Sequence, residues 1–346
     1  MAEALRVICL QPSSPAMLKL VPAAVPPLQQ GKVLVRVSVS SVNPIDVKRA
    51  AGYGARLLSL KGAGRFPLVL GNDFVGVVEA VGEGVEGWRA GDKVLGLLPT
   101  GKNGGAHRSH VLADPRLLVP AIRGMGDAEQ AIIPYCFTTA WLAVAAAGLT
   151  AENASGKRVL VHGASGGVGT IAVQMLSHWG ATVTAICSTQ SIEHCRAAGA
   201  AEVIDRTIER LETLEPAFDA VLNFASREDE GDLLGRLANN ALGYATTVHP
   251  LLANADRLGL LRGAARSCAE FNGGRRQART HGARYGWTVF KPVPQAMKVM
   301  AGLMERGVLR LPLGVVAPAG AASRAFEHIM TRKAGRAAIL FETVPA

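Results

Sequence analysis

Residues 159–174, VLVHGASGGVGTIAVQ, constrain the fold of this chain more than any other stretch. Between Gly163 and Gly169 five of seven residues are glycine or alanine. Ahead of them RVLVH reads as a buried strand, and behind them Val168, Ile171, Ala172, Met175, Leu176 and Trp179 fall at offsets 0, 3, 4, 7, 8 and 11. That spacing is one apolar helical stripe, and Gly180 stands where a C-terminal cap belongs. Gly163, Gly166 and Gly169 form G-x-x-G-x-x-G at the join. A strand, a bare turn and a helix in this order bring backbone N–H groups and the positive end of a helix dipole up to a pyrophosphate. The same glycines would also serve a tight turn with close helix packing and no ligand. Four further strand–helix units in the sequence favour the ligand.

Up to about residue 118 the pattern is short and strand-like: Val33, Val35, Val37 and Val39 alternate in VLVRVSVSSV, followed by GNDFVGVVEAVGEGV and GDKVLGLL between turn residues. A β-rich barrel or sandwich follows from this. From about residue 127 the strands RVLVHG, TVTAICS, AEVID, FDAVLNFAS and YATTVH alternate with helix-length segments, which argues for a parallel sheet with crossover helices. After about residue 289 a helical QAMKVMAGLMERG, the run LRLPLGVV, a helix over 322–331 and a closing strand RAAILFETV resemble the first part again. The expected organisation is α/β: a β-rich domain in 1–126, a doubly wound parallel-sheet domain in 127–288, and a return to the first domain in 289–346.

The 346 residues, 49% hydrophobic, suffice for two cores, and 37 Lys and Arg against 27 Asp and Glu leave the chain at +10. Cys9, Cys136, Cys187, Cys195 and Cys268 show neither zinc-module nor disulfide-framework spacing. The start MAEALRVICLQPSS carries Glu3 and neither a secretory apolar core nor an Arg/Ser-rich amphipathic pattern, so a cytoplasmic location is expected. Residues 131–149 are apolar over about the length that spans a bilayer. They are Ala-rich and interrupted by Pro134, Thr138 and Thr139, and read as a buried core helix.

The second strand after the glycines speaks to the dinucleotide. An NAD site usually ends that strand in Asp or Glu to hold the ribose 2′-OH. Here it ends in Cys187, Ser188 and Thr189. A hydroxyl can donate to a 2′-phosphate, and Arg206, just after AEVID, can supply charge, so NADPH is the preferred reading, tempered by Glu193 nearby.

These residues resemble the zinc-independent quinone oxidoreductase branch of the medium-chain dehydrogenase/reductases. The likeness runs through SVNPIDVKRAAGYGA, FPLVLGNDFVGVV, PYCFTTAW, GKRVLVHGASGGVGT, VTAICS, HPLLANADRLGL and GRAAILF, nearly the whole chain. SVNPID and NADRLG make the likeness more specific than a generic Rossmann match; it extends to a mitochondrial member, which would reconcile with this N-terminus if the chain were a bacterial cytoplasmic enzyme or a processed matrix form. The resemblance implies a GroES-like catalytic domain split around a Rossmann domain, NADPH, and often a homodimer. Zinc-dependent members carry metal ligands where this chain has Asn43, Asn72 and Asp73, so no metal is expected; His107 and His110 lack partners at ligand spacing.

By position the resemblance places Asn43, Asp46 and Tyr53 at the catalytic end. It places Thr139, Ser165, Gly167 and Val168 against the cofactor; the glycine spacing adds Gly163, Gly166 and Gly169, the strand ends add Ser188, Arg206 and Asn223, and Arg336 keeps a positive charge that related chains usually supply as Lys. Related chains commonly have Tyr at Arg206 and a glycine-rich pair at Ala225 and Ser226. Asn43 and Tyr53, as neutral donors, suit an oxygen that gains charge when hydride is delivered. Asp46 would orient neighbours, and the proton would come from Tyr53 or water. The acceptor is a quinone or a related conjugated carbonyl; enone or 2-enoyl thioester reduction is the alternative on the same scaffold. A non-catalytic NADPH-binding module is the rival of another class, motivated by Arg262, Arg266, Arg275, Arg276, Arg279 and Arg284. No aromatic platform accompanies these arginines, so nucleic-acid binding is not expected.

Overall fold

The computed structural model describes residues 4–101 and 104–341. Glu3 and the last residues of the closing strand, 342–344, lie outside them. Strands β1 to β7 are Ala4–Cys9, Leu18–Ala23, Val33–Val42, Asp73–Val81, Lys93–Leu97, His110–Ala113 and Leu118–Pro120. Strands β8 to β13 are Arg158–His162, Thr182–Cys187, Glu202–Asp205, Ala220–Asn223, Gly243–Thr246 and Arg284–Trp287, and β14 and β15 are Leu313–Pro318 and Arg336–Leu340. Helices α1 to α6 are Pro44–Ala50, Ala55–Ser59, Asp127–Ala131, Pro134–Ala146, Gly167–His178 and Ile192–Ala197. Helices α7 to α11 are Glu230–Leu234, Leu251–Leu258, Leu260–Arg279, Pro294–Glu305 and Ser323–Met330.

The chain divides into two compact units. The first runs to Tyr135 and includes Ala255–Leu260 and the residues from Lys291 on; the second holds Cys136–Asn254 and Leu261–Phe290. The change of texture at 126/127 therefore precedes the division, because α3 packs on β3 and β4 and stays with the first unit. The later division falls at 290/291 rather than 288/289, and the short Ala255–Leu260 piece interrupts the second unit.

In the first unit a sheet runs in the order β14-β15-β3-β4-β5-β7, with β6 also on β3. The alternating valines of β3 suggest burial of one face, yet Leu34 is buried as well. The reason is pairing on both sides: β3 is bonded to β4, β6 and β15 and lies in the interior. Two registers position chemistry. Ala337 opposite Val42 puts Arg336 next to Asn43, and Ser40 opposite Phe74 puts Ser41 next to Asp73.

The second unit is a six-stranded, wholly parallel sheet in the order β10-β9-β8-β11-β12-β13. The chain proceeds outward from β8 in one direction, then returns to its other side at β11, and such a reversal opens a crevice at the strands' carboxyl ends. Strand β13 was not among those read from the sequence: RYGW is interrupted by Gly286, where a Cβ would come within 2.9 Å of the Ala146 Cβ. The glycine lets α4 lie close, and Gly243 does the same, its Cβ position being 2.8 Å from the Ala147 oxygen. Helix α4 is the apolar segment at 131–149, with Phe137, Ala140, Ala143 and Val144 buried in the core. No helix among the described residues is long and apolar enough to cross a membrane.

Helix α5 ends in the expected glycine cap. Gly180 has φ +82°, its N–H bonds the Ser177 oxygen at 3.0 Å, and the Ala181 N–H bonds the Leu176 oxygen at 3.0 Å. Its buried face is wider than the predicted stripe, taking in Gly169, Thr170 and Val173, because the helix lies flat on the sheet; Val168 and Trp179 at its ends are only half-buried.

Candidate active site

In the second unit the glycine turn has a shape only glycine allows. Gly163 takes φ +78°, and both its N–H and that of Ala164 bond the Ile186 oxygen at 3.2 Å, tying the turn to β9. A Cβ on Gly169 would lie 2.2 Å from the Gly163 oxygen, so the first turn of α5 rests directly on the glycine loop. Gly166 is the extended N-cap and gives no side-chain cap. The first intrahelical bond runs from the Thr170 N–H to the Gly166 oxygen, which leaves the N–H groups of Gly167, Val168 and Gly169 without an intrahelical carbonyl. Ser165 is half-buried beside them. This cradle fits a pyrophosphate by its donors and by its lack of side chains.

Next to it, the Arg206 N–H bonds the Cys187 oxygen at 3.0 Å, which places Arg206 beside Ser188 at the end of β9. Arg206 is exposed with no ion pair among the described residues, and Ser188 is half-buried without a side-chain cap bond. The nearby acids are occupied: Glu193 pairs with Arg196 at 2.6 Å, and the Asp205 carboxylate accepts from the Thr207 N–H at 2.9 Å and its hydroxyl at 2.6 Å.

Asn223 lies at the end of β11, as expected, but its side chain is committed. Its Oδ1 accepts from the N–H groups of Ala225 and Ser226 and meets the His162 ring at 3.1 Å, while its Nδ2 donates to the Ser226 oxygen at 2.6 Å and the Tyr244 hydroxyl at 3.0 Å. It shapes the 223–226 turn rather than offering itself to a ligand. His162 completes this cluster with Asp229 at 3.4 Å, and burial holds its basicity below the ordinary histidine value. Thr139 is buried in α4; its neighbour Thr138 has a buried hydroxyl without a partner among the described residues.

In the first unit Asn43, Asp46 and Arg336 come together around a residue to which sequence reasoning gave no role, Asp73. The Asn43 Nδ2 donates to Ser41 Oγ and to Asp73 Oδ1, each at 3.0 Å, and its Oδ1 accepts from the Arg336 guanidinium. Every polar hydrogen of the Asn43 amide is spent, which corrects the expectation that it meets a substrate oxygen. Arg336, expected against the cofactor, is buried on Asn43 instead. Asp46 is a brace: one oxygen accepts from its own helix's Asn43 N–H at 2.8 Å and the other from the Gly71 N–H at 2.9 Å. Asp73 accepts in addition from Ser41 Oγ and from the Tyr135 N–H at 2.9 Å. Burial, aided by Asp46, pushes its carboxyl up to about 6, against the pull of the Ser41 and Tyr135 donors and of Arg336. The signal in the sequence was a carboxylate at the head of the apolar run DFVGVV.

Tyr53 stands apart from this network. It is half-buried with the Lys48 ammonium 5.7 Å from its ring centroid, and among the described residues its hydroxyl has no hydrogen-bond partner. Burial and the Asp256 carboxylate raise its ionisation above that of a free phenol, so it stays a proton donor at neutral pH. His107 faces Ser40 and His110 faces Glu79, so the two do not converge, and the described residues contain no group of three His, Cys, Asp or Glu placed to hold a metal.

Comparison with known proteins fits this architecture. The alcohol dehydrogenase GroES-like domain matches residues 29–132. The NAD(P)H oxidoreductase RTN4IP1, mitochondrial, of Mus musculus is 35% identical over 293 residues, covering 81% of this chain and 74% of that protein. The 2-methylene-furan-3-one reductase of Solanum lycopersicum is 34% identical over 205 residues, 57% of this chain and 50% of its own length. Among solved structures, the quinone oxidoreductase from Coxiella burnetii superposes with a TM-score of 0.81 at 23% identity, covering 99% of this chain and 100% of that one.

Proposed function

The chain belongs to the medium-chain dehydrogenase/reductase family, in its quinone oxidoreductase branch, and from that premise we propose that it passes hydride from NADPH to a quinone or a related conjugated carbonyl without zinc. The observation that carries the reading is the bare Gly163–Gly169 turn with Ser188 after the neighbouring strand and beside it Arg206, which has no ion pair among the described residues. When bound, the reduced nicotinamide supplies the hydride. The N–H groups of residues 167–169 would hold the pyrophosphate, Ser188 and Arg206 would hold the 2′-phosphate, and Tyr53 would donate to the acceptor oxygen as it gains charge. Zinc-free chemistry is supported by the use made of Asn43 and Asp73, which are spent on each other and on Ser41, Arg336 and the Tyr135 N–H; Asn72 donates to the Leu98 oxygen at 2.9 Å, its Oδ1 having no partner among the described residues. The relatives' names favour a mitochondrial location over the cytoplasmic expectation.

Two substitutions test the assignment. Arg206→Ala raises KM for NADPH about tenfold, the worth of one charge-assisted contact, and leaves KM for NADH unchanged. Tyr53→Phe lowers kcat about a hundredfold, the range of a positioned proton donor, with KM for NADPH retained. Both are read by following NADPH and NADH consumption with ortho- and para-quinones and 2-enals. Enal turnover that exceeds quinone turnover moves the function to enone reduction, the reading favoured by the tomato relative's name. Tight NADPH binding with no turnover on any acceptor overturns the proposal in favour of a binding module.

A further inference from the structure

The NADRLG segment does something no feature of the cofactor site explains. Helix α2 begins at Gly54, which has φ +79° and no side chain to cap the helix. The cap comes from far along the chain. The Asp256 carboxylate accepts from the Gly54 N–H at 2.6 Å through one oxygen and from the Arg56 N–H at 3.1 Å through the other. Gly259, with φ +81°, lets the same segment lie against the loop, since a Cβ there would sit 3.4 Å from an Arg56 guanidinium nitrogen. Between α1 and this clamp stands Tyr53, its own N–H bonded to the Lys48 oxygen at 3.0 Å. The Gly52–Gly54 turn, both of whose glycines have positive φ, is thus fixed on one side by α1 and on the other by Asp256, with the Ala55 N–H closing it on the Gly52 oxygen at 3.2 Å.

We propose that Asp256 is a positioning residue for Tyr53: by holding the Gly54 and Arg56 amides it fixes the turn that presents the phenol. This rests on the reading of Tyr53 as the donor to the acceptor oxygen, but the clamp itself can be tested without substrate or dinucleotide. The groups that face the phenol are Lys48 from α1 and Asp256 from α8. Removing the carboxylate charge eases ionisation of the phenol, and loosening the turn lets in water, which acts in the same direction.

The chain has four tyrosines. Burial and the Glu230 carboxylate hold Tyr244 and Tyr285 far above the ordinary phenol range. Ultraviolet difference titration of the full-length protein, with Tyr53→Phe as the blank, therefore isolates the Tyr53 phenolate. Asp256→Asn and Asp256→Ala are each expected to titrate Tyr53 at lower pH than wild type, with Asp256→Ala shifted further because both amide contacts are lost. In NADPH-dependent turnover, kcat is expected to fall about tenfold in Asp256→Ala with KM for NADPH little changed, as for an effect relayed through a positioned donor. Unshifted titration in both variants overturns the proposal, whatever the activity. A shifted titration in a protein that turns over no acceptor leaves the clamp standing and overturns the reductase reading instead.

Discussion

Gly169→Ala is expected to abolish dinucleotide binding and to destabilise the second unit by about 1–3 kcal/mol, the range for an added carbon in a packed interior. The methyl group would lie 2.2 Å from the Gly163 oxygen and 2.7 Å from the Ala164 Cα. Both are backbone atoms of a turn already tied to β9, so no side chain can swing away to make room. The start of α5 must move off the loop, and the N–H groups of residues 167–169 move with it. Gly166→Ala separates the two effects. Its φ of −72° suits alanine, and its nearest contact would be the Gly163 oxygen at an ordinary 3.4 Å. Stability should then change by less than about 0.5 kcal/mol, while the methyl group, standing on the open side of the turn, still obstructs the pyrophosphate. Thermal unfolding and a fluorescence titration with NADPH read the two quantities. If Gly169→Ala binds NADPH as wild type does, the turn is not the pyrophosphate site.

How much of this was legible beforehand depended on whether a residue's role is local. The glycine turn, α5 and its cap follow from spacing within about 20 residues, and local periodicity reports such features directly. The return of the C-terminal part to the first unit was also legible, because RAAILF keeps strand character in isolation. Strand β13 was not: its glycine serves the approach of α4, a neighbour distant in sequence. The first-unit network was located by its motifs but misjudged in role. SVNPID pointed to Asn43 and Asp46, yet whether an amide is free or spent depends on partners at positions 73 and 336, which only the β3–β4 and β3–β15 registers bring within reach. Asn223 failed in the same way, its position at a strand end being right and its side chain already consumed by the turn that follows.

Asp73 should show the second large effect, and its sign with pH is the more telling part. Asp73→Ala removes the acceptor from Ser41, Asn43 and the Tyr135 N–H and takes away a carboxylate bonded to the side-chain amide that holds Arg336. Arg336 already has a buried Nε with no partner among the described residues, so the variant is expected to lose about 3–5 kcal/mol, the cost of leaving a buried charge uncompensated. Asp73→Asn keeps the shape and removes the charge. In the folded protein the carboxyl of Asp73 is raised from 3.8 to about 6, chiefly by burial. A carboxyl raised on folding binds its proton more tightly in the native state than in the unfolded chain, so its contribution to stability is greatest below its ordinary value and declines as pH rises toward about 6. The decline amounts to roughly 3 kcal/mol at about 1.4 kcal/mol per pH unit. Urea unfolding between about pH 4.5 and 7 should therefore show wild type losing stability relative to Asp73→Asn as pH increases, with the other carboxylates cancelling in the difference. Parallel curves would mean that Asp73 is ionised throughout, with Arg336 and the three donors outweighing burial. The declining difference would mean that this buried site carries its negative charge at neutral pH against the preference of the fold.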